Sequence, residues 1–495
     1  MKAQHESFWN GTTNQPSFKA LDKDIEADVV VAGGGIAGIT TAFLLSQEGK
    51  KVVLLEAREL LNGTTGNTTA KLSAQHHLLY SKLVELYGEN IAKLYFEAND
   101  HAISMIGSLA EAREINCDFE RKDSYVFTQQ EGIISALEKE AEAYQELSID
   151  GGMIDGSPLN NEAMKSLLMR NQAQFHPLKW LNGLLGEIEK SDAEIYEHTA
   201  LTDVKTSNQG IVCQTDQDCI VTCKDLVIAT HFPVYAENKF YVNNLSPESS
   251  VAMAFKADKE LPAGMFISAE MPKWTMRDIK HDGESYILVG GESHATGDGM
   301  SEEERYGRVA AYAKEHLGLE NPIYRWSSLD FFTPDHIPFV GRLHEDTDHI
   351  YVMTGFSKWG LSNSTAGAGI IKDLIMENDN PYIAIYSPQR DLKSLELPSG
   401  EDEKVKTSGA ESSLDNLKIN QAAVIKKDDK EIGVYKDENG KLHYIDLNCT
   451  HMGCGVKWND GDLTWDCPCH GSRFKATGEV IEGPALDPLE TRDHA

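Results

Sequence analysis

The sequence lacks any hydrophobic run long enough to cross a bilayer. A membrane helix needs roughly 18 or more apolar residues, and the nearest approach, ADVVVAGGGIAGITTAFLL, is interrupted by glycines. The N-terminal stretch MKAQHESFWNGTTNQ also lacks the apolar core of a secretory signal. We therefore predict a protein with no membrane span and no secretory leader.

Basic residues are scarce relative to acidic ones. The 495 residues include 46 Lys and Arg against 78 Asp and Glu, which gives a formal net charge of −32. Nucleic acids and anionic membrane surfaces are negatively charged and repel such a chain. The charge therefore argues against both as partners.

Cysteine is scarce as well, and half of it lies in one part of the chain. Cys117, Cys213, Cys219 and Cys223 are scattered without the spacing of a disulfide framework, as expected in a reducing compartment. We therefore predict a cytoplasmic protein. The other cysteines lie in two boxes, CTHMGC at 449–454 and CPCHGS at 467–472.

One segment has the composition of a linker. Residues 386–415 are rich in Ser, Pro, Gly and charge and show no hydrophobic period, which is typical of a connection between domains. It separates a large block, 26–385, from a C-terminal domain, 416–495. Both are long enough to form a core.

The start of the large block carries a dinucleotide-binding pattern. DVVVA is a β-branched strand, IAGITTAFLLSQEG has helical spacing, and KKVVLLE is a second strand. Between them Gly33, Gly35 and Gly38 satisfy G-x-G-x-x-G, in which the glycines allow a tight turn, approach of a pyrophosphate and close helix packing. Glu56 ends the second strand, where a carboxylate can bind ribose hydroxyls.

Later segments resemble the D-amino-acid oxidase/glycine oxidase superfamily of flavoproteins. The resemblance covers about residues 26–380 and rests on HPLKWLNGLLGEIEKSDAEIYEHTALTDV (176–204), KDLVIATHFP (224–233), FFTPDHIPFVGR (331–342) and DHIYVMTGFSKWGLSNSTAGAGIIKDLI (348–375). It implies FAD as the cofactor. The FAD-binding residues that it implies are Gly33, Gly35, Ile36, Ala37, Gly38, Glu56, Ala57, Arg58, Thr65, Val204, Ala229, Thr230, Gly355, Trp359, Gly360 and Leu361.

The same resemblance implies the architecture of the large block. We expect a Rossmann-like α/β FAD part of the glutathione-reductase type, at about 26–75, 146–234 and 341–385. An α+β substrate part with a mostly antiparallel sheet takes about 76–145 and 235–340. Because no second strand with G-x-G-x-x-G follows, we expect a small organic substrate to meet the flavin directly.

The chain departs from its relatives at two positions near the flavin. No cysteine precedes the T-P-D stretch in RWSSLDFFTPD, so FAD is expected to be non-covalent. Asp330 stands where amino-acid-oxidising relatives carry an arginine for the substrate carboxylate. This favours a neutral or cationic amine as substrate, unless Asp330 simply faces solvent.

The sequence offers only weak candidates for catalytic residues. Lys71, His76 and His77 follow a Gly/Thr loop that passes beside the flavin in relatives, and Lys358 lies in a similarly placed loop. A lysine there could polarise flavin N1 or N5, although surface lysines are the more common case. Amine oxidation by hydride transfer to a flavin needs little acid–base assistance.

The two C-terminal boxes place one cysteine and one histidine each as candidate metal ligands. The pattern is Cys449-x-His451 followed by Cys467-x-x-His470. A zinc site could use two Cys and two His, but zinc fingers generally group like ligands together. In a Rieske [2Fe–2S] centre one iron takes two thiolates and the other takes two imidazoles, so both alternatives remain open from the ligands alone.

The boxes closely resemble the disulfide-bearing Rieske proteins of cytochrome bc complexes. In that family Cys454 and Cys469 would form a disulfide that clamps the two cluster loops. The resemblance implies a [2Fe–2S] cluster rather than zinc and a small all-β domain. Hairpin signals at Asn439-Gly440 and Asp460-Gly461 agree with small antiparallel sheets.

A flavin and a Rieske cluster on one chain suggest an electron conduit. We expect an FAD-dependent dehydrogenase that oxidises a small substrate, by resemblance an amine-type C–N bond, and passes single electrons through the cluster and its exposed histidine edge to an external acceptor. The alternatives are a redox-sensing or electron-carrier protein, and reverse flow from a protein donor through the cluster to FAD.

The residues around the cluster predict its reduction potential relative to known classes. Ser472 retains a hydroxyl that high-potential relatives aim at a bridging sulfide, whereas Phe474 replaces a tyrosine whose hydroxyl meets a cysteine sulfur. Because hydrogen bonds to the sulfurs raise the potential, we expect a value below the bc-complex proteins and above oxygenase ferredoxins without the disulfide. A redox titration that gives the bc-complex level contradicts the argument from Phe474.

Overall fold

The computed structural model describes residues 3–159, 162–207, 210–234, 239–393, 414, 417–427 and 430–492. Within these ranges no helix combines the length and the apolar character needed to span a membrane. Three sheets belong to the large block and two to the C-terminal domain.

A six-stranded sheet forms the centre of the dinucleotide-binding part. Its order is Phe339–Arg342, Ile350–Thr354, Asp225–Ile228, Val29–Ala32, Val52–Leu55 and Glu194–Tyr196. All neighbours are parallel except the first pair. Val29–Ala32 and Val52–Leu55 are buried along their whole length, as expected for parallel strands covered on both faces.

Helices cover this sheet as the sequence predicts. Ile36–Gln47 and Gly360–Ile375 pack on each other and on the strands, and Pro177–Ile188 packs on the first of them. The strand–helix–strand unit around the glycines is therefore confirmed. A second, four-stranded sheet consists of Leu201–Ser207, Gly210–Thr215, Ile220–Cys223 and Ile25–Glu26.

A ten-stranded sheet forms the other part of the large block. Its strands, in order, are Gln4–His5, Tyr324–Phe332, Ser246–Lys256, Glu284–Ala295, Trp274–His281, Met265–Ser268, Glu120–Thr128, Lys165–Gln174 and Lys71–Leu72, with Gly151–Asp155 beside Lys165–Gln174. The pairing is antiparallel apart from the Gln4–His5 pair and the pair of Met265–Ser268 with Glu120–Thr128. The prediction of a mostly antiparallel sheet is confirmed.

The remaining helices pack on both parts of the large block. They are Phe8–Thr12, Tyr80–Tyr87, Glu89–Ala112, Ile134–Glu146, Lys239–Asn244, Glu302–Leu317 and Ile383–Tyr386, with a 3₁₀ turn at Glu131–Ile133. Ser301 caps Glu302–Leu317 by accepting a hydrogen bond from the Glu304 amide at 3.2 Å, and Gly318 ends it in the left-handed conformation.

Two predicted boundaries of the large block are wrong. Strands Gly151–Asp155 and Lys165–Gln174 pair within the ten-stranded sheet, so the return to the FAD part occurs near residue 177 rather than 146. The block also begins before residue 26, because Phe8 and Trp9 are fully buried in its core. Local hydrophobic patterns do not reveal which sheet a strand joins.

The predicted linker begins too early. Tyr386 is fully buried. Arg390 forms a bidentate ion pair with buried Asp335, in which the Nε–Oδ2 and Nη2–Oδ1 distances are both 2.8 Å. The residues through 393 therefore belong to the large block. Most of the predicted linker, 394–413 and 415, lies outside the described residues.

The C-terminal domain consists of two four-stranded antiparallel sheets. One contains Gln421–Lys427, Lys430–Lys436, Leu442–Asp446 and Thr491–Arg492, and the other contains Lys457–Asn459, Thr464–Asp466, Arg473–Lys475 and Val480–Glu482. The hairpin turns predicted at Asn439-Gly440 and Asp460-Gly461 lie between paired strands. Trp465 and Phe474 are fully buried in the core between them.

Removal of the Arg390 guanidinium is expected to destabilise the large block. In Arg390→Met, the carboxylate of Asp335, which is 0% exposed, loses its charged partner, and such a change costs about 3–5 kcal/mol of unfolding free energy. Chemical denaturation measures this loss. Arg342→Met is the matched control, because Arg342 is an exposed partner of Asp348 and we expect a change below about 0.5 kcal/mol.

Candidate redox site

A cavity of about 1260 Å³ opens at the carboxyl ends of the parallel strands. Gly33, Glu56, Ala229 and Phe356 line it, and each follows one of four neighbouring strands. This edge of a doubly wound sheet is the usual place for a dinucleotide. The volume exceeds the roughly 300–1,000 Å³ of most ligand pockets, so the cavity has room for more than a small substrate.

The glycines of the first turn are required by close backbone contacts. Gly33 has a φ of +115°, and a Cβ placed on it would lie 2.3 Å from the Ala229 carbonyl oxygen. A Cβ on Gly38 would lie 1.9 Å from the Gly33 carbonyl oxygen. Gly35 precedes the helix Ile36–Gln47 and supplies no side-chain cap to it. The first turn of this helix therefore faces the cavity, which is the arrangement that binding of an anion at a helix N-terminus requires.

Polar groups arranged around this turn fit a dinucleotide. Glu56 accepts hydrogen bonds from the Gly34 amide at 2.7 Å and the Arg58 amide at 2.9 Å, which fixes its carboxylate at the cavity wall. Thr65 Oγ1 accepts from the Ile36 amide at 3.0 Å. The residues present therefore fit the FAD that the sequence implies, and no cysteine lies among the described residues that line the cavity.

Most of the predicted FAD-binding residues line the cavity. They are Gly33, Gly35, Ile36, Ala37, Glu56, Ala57, Arg58, Thr65, Ala229, Thr230, Trp359, Gly360 and Leu361. Gly38 lies behind the turn, where it permits close packing.

Besides Gly38, two of the predicted FAD-binding residues do not line the cavity. Val204 is buried in the core of the four-stranded sheet, and Ala200 and Leu201 take its predicted place at the wall. Gly355, with a φ of +74°, packs instead against Thr333.

The two adjacent histidines line the cavity but are poorly suited to acid–base chemistry. In His76, Nδ1 bonds to the Tyr95 hydroxyl and Nε2 to the Ser73 carbonyl oxygen, both at 2.8 Å, and burial lowers its pKa to about 3. Its ring stacks on Trp359 with centroids 4.8 Å apart. Burial also lowers the pKa of His77 well below its usual value, so both imidazoles are neutral and structural.

The two candidate lysines line the same cavity. Lys71 Nζ donates to the Phe266 carbonyl oxygen at 3.4 Å and lies 5.9 Å from the centre of the Trp359 ring. Lys358 Nζ donates to the Ser249 carbonyl oxygen at 3.3 Å and to the Ser293 hydroxyl. Burial lowers the pKa of Lys71 to about 7 and that of Lys358 to about 8, so either ammonium can release a proton near neutrality.

Asp330 does not face solvent, so that interpretation is wrong. It is 5% exposed and accepts hydrogen bonds from the Lys358 amide at 2.6 Å and the Phe331 amide at 2.8 Å. His231 Nε2 lies 3.1 Å from its carboxylate, and His231 Nδ1 lies 3.4 Å from Glu482. Burial opposes protonation of His231, but the two carboxylates raise its pKa to about 9.

The four predicted metal ligands meet at one end of the C-terminal domain. The thiols of Cys449 and Cys467 are buried and within hydrogen-bonding reach of each other. That contact, with the Ser472 hydroxyl and nearby backbone amides, lowers the pKa of Cys449 to about 6. A thiolate, the ligand form of cysteine, is therefore available there at neutral pH.

The two histidines complete a donor set that fits a cluster. The rings of His451 and His470 lie 5.0 Å apart, and the Nδ1 atom of each is buried without a hydrogen-bond partner in the described part of the chain. Buried polar atoms are normally satisfied, so these nitrogens indicate a ligand that binds both. We propose Cys449, His451, Cys467 and His470 as the cluster ligands.

The disulfide and the side chains of Ser472 and Phe474 lie beside these ligands. Cys454 and Cys469 are joined with an S–S distance of 2.08 Å, which ties the two loops together. Their sulfurs and that of Cys467 lie within 4.8 Å of one another, but the bonded pair is not available as metal ligands. Ser472 Oγ accepts from the Ala485 amide at 3.0 Å, and Phe474 offers the ligands no hydroxyl.

The histidine edge packs on the large block, with His470 buried and His451 half-buried, so the exposed edge that we expected is not observed. Phe232 lies 4.9 Å from the His470 ring and 5.7 Å from the His451 ring, centroid to centroid. His470 is 6% exposed. Thr230 and His231 line the cavity, and the next residue, Phe232, contacts the proposed ligands. The cavity wall and the proposed ligands are therefore joined by adjacent residues of one segment.

Much of the cavity wall was not predicted from the sequence. The lining residues that were not predicted include Lys82, His231, Glu248, Lys273 and the C-terminal segment Ile481–Pro484. These residues come from separate elements that only the tertiary fold brings together. No local spacing in the sequence signals them.

Two families match the chain. The DAO family, described as FAD dependent oxidoreductase, matches residues 28–374, and the Rieske [2Fe-2S] domain family matches residues 397–493. The protein named as Rieske 2Fe-2S iron-sulfur protein YhfW of Bacillus subtilis is 38% identical over 501 residues, covering 99% of this chain and 98% of that protein.

More distant relatives match the large block. Gamma-glutamylputrescine oxidoreductase of Escherichia coli is 22% identical over 400 residues, covering 74% of this chain and 88% of that protein. The crystal structure of glycine oxidase from Geobacillus kaustophilus superposes with a TM-score of 0.64 at 17% identity, covering 74% of this chain and 100% of that chain.

Loss of one proposed thiolate ligand is expected to abolish the cluster and spare the flavin. Cys467→Ser should remove the iron, the visible bands and the magnetic-resonance signal of a histidine-ligated centre, while flavin absorbance stays. Cys219→Ser is the control, since Cys219 lies in the core beside the four-stranded sheet. Zinc in place of iron in the unmutated protein would contradict the assignment.

Proposed function

Because the chain belongs to the DAO family of FAD-dependent oxidoreductases and carries a C-terminal Rieske [2Fe-2S] domain, we propose that it is a dehydrogenase for a small substrate with an amine-type C–N bond. Its electrons leave singly to an external acceptor. When bound, FAD accepts a hydride and the [2Fe–2S] cluster carries one electron at a time.

The observation that carries this proposal is the continuity between the two sites. The segment Ala229–Thr230–His231 lines the cavity, and the next residue, Phe232, contacts both proposed histidine ligands. The docked arrangement holds the two cofactor sites at a fixed separation. An oxidase that passes electrons directly to oxygen would need no such contact.

Residues of the large block orient the substrate and exclude water. Trp359, stacked on His76, and the half-buried ammonium groups of Lys71 and Lys358 form the wall opposite the glycine turn. With their lowered pKa values, the Nζ atoms of these lysines can hold or accept a proton at neutral pH. Gamma-glutamylputrescine oxidoreductase and glycine oxidase are named for substrates with an amine group. Their names support the proposed substrate class.

We further propose that the protein works in a reducing compartment such as the cytoplasm. Cys117, Cys213, Cys219 and Cys223 are free and buried. The disulfide between Cys454 and Cys469 lies beside the cluster ligands, within one small domain. Both cysteines are half-buried, which limits the access of reductants to the bond.

An anaerobic screen of amines tests the proposal. We expect one class of amine to bleach the flavin of the holoprotein and to reduce an added one-electron acceptor. Cys467→Ser should still be bleached but should deliver electrons to that acceptor about tenfold more slowly or worse. If no amine bleaches the flavin while a reduced ferredoxin does so readily, the protein is an electron carrier or works in the reverse direction.

A further inference from the structure

The cavity wall is basic although the chain is strongly acidic. Five lysines line it, of which Lys139 is exposed and four are half-buried, namely Lys71, Lys82, Lys273 and Lys358, whereas the chain as a whole has a net charge of −32. The four half-buried lysines lie in four separate parts of the chain, so no local run of basic residues accounts for them.

The lysines are close enough to affect shared neighbours. Burial, together with the charges of Lys273, Lys82 and Lys71, lowers the pKa of His77. Burial, together with Lys82 and Lys273, lowers the pKa of His336 to about 4. The imidazoles of His77 and His336 are thus held neutral. The side chains of the four half-buried lysines form one cationic patch.

The carboxylates of the cavity wall are mostly bonded to groups other than these lysines. Glu59 accepts from the Asn62 amide group at 3.0 Å, and Glu482 lies 3.4 Å from His231 Nδ1. Glu248 lies 3.7 Å from Lys358 Nζ, and Asp330 is already held by His231 and two backbone amides. Glu56 is held by the glycine turn. In the described part of the chain, Lys82 and Lys273 make no ion pair and no side-chain hydrogen bond of their own.

The patch lies apart from the place of the cofactor phosphates. Lys71 bonds to Phe266 and Lys358 to Ser249 and Ser293, which are residues of the ten-stranded sheet. The phosphate-binding features are the glycine turn and the start of the helix Ile36–Gln47 in the other part of the block. The lysines therefore serve a different ligand.

Clustered ammonium groups in a half-buried wall repel one another and lose hydration. Burial is the main cause of the lowered pKa values of Lys71, Lys273 and Lys358. A bound anion reverses both effects, because it supplies opposite charge and charge-assisted hydrogen bonds. Lys358 lies beside Glu248, and Lys71 and Lys358 can lose a proton near neutrality. The uncompensated charges are therefore those of Lys82 and Lys273, and two anionic groups on a ligand match them.

We propose that the substrate carries at least two anionic groups, carboxylate or phosphate, besides its C–N bond, and that Lys82 and Lys273 bind them. The oxidised bond rests on the proposed function, but the charge of the substrate rests on the cavity alone. The proposal differs from the expectation, drawn from Asp330, of a neutral or cationic amine, because Asp330 already bonds to His231 and two backbone amides.

Calorimetric titration of the holoprotein with non-oxidisable ligands tests the charge requirement. The probes are succinate, inorganic phosphate, acetate and the neutral diamide of succinic acid. We expect succinate or phosphate to bind about tenfold or more tightly than acetate, with no measurable binding of the diamide. Comparison of succinate with phosphate distinguishes a dicarboxylate substrate from a phosphorylated one.

Variants assign the effect to the proposed lysines. Lys273→Met and Lys82→Met should weaken binding of the preferred dianion about tenfold or more, and Lys273→Arg should restore most of it. Lys280→Met is the matched control on the adjoining strand, where Lys280 is exposed and paired with Glu260. Unchanged flavin content shows that each variant is folded.

Two results would overturn the inference. The first is a diamide or a simple cationic amine that binds as tightly as the dianions. The second is dianion binding that both methionine variants leave unchanged. If dianions bind as expected but no anionic amine bleaches the flavin, the charge requirement stands and the proposed oxidation fails, so the two outcomes are separable.

Discussion

Asp462 of the C-terminal domain accepts hydrogen bonds from Tyr306 and Ser327 of the large block and pairs with Arg473 of its own domain at 2.8 Å. Burial opposes the charge of Asp462, but Arg473 and these hydroxyls lower its pKa. A buried carboxylate needs all its partners. The docking of the two domains is thus specified by one fully satisfied polar network.

Other contacts make this docking directional. Asp460 accepts from the Ser301 hydroxyl at 2.7 Å and from the Glu302 amide at 2.8 Å, which places a carboxylate at the start of a helix in the large block, where the dipole favours it. Gly471, with a φ of +73°, approaches Leu329 so closely that a Cβ would lie 2.9 Å away. Together they bring the histidine edge against Phe232.

The sequence predicted the features that are formed by residues a short distance apart in the chain. The strand–turn–helix around Gly33 and the paired boxes at Cys449 and Cys467 are local patterns, because a phosphate turn and a two-loop metal site each need fixed offsets. Tertiary partners could not be predicted in this way. Asp330 shows why: its charge suggested a neutral or cationic substrate, but its carboxylate bonds to His231, which is 99 residues away in sequence.

The docked histidine edge constrains how electrons reach an outside partner. His470 is 6% exposed and covered by Phe232, so a partner that must touch this edge can do so only after the domains separate. Met452, the residue after His451, is 59% exposed. Since hydrophobic contacts commonly form the core of docking surfaces, a partner that binds the closed form must approach the cluster from the side of Met452. In the proposed function, the internal and external electron routes would therefore use different faces of the same small domain.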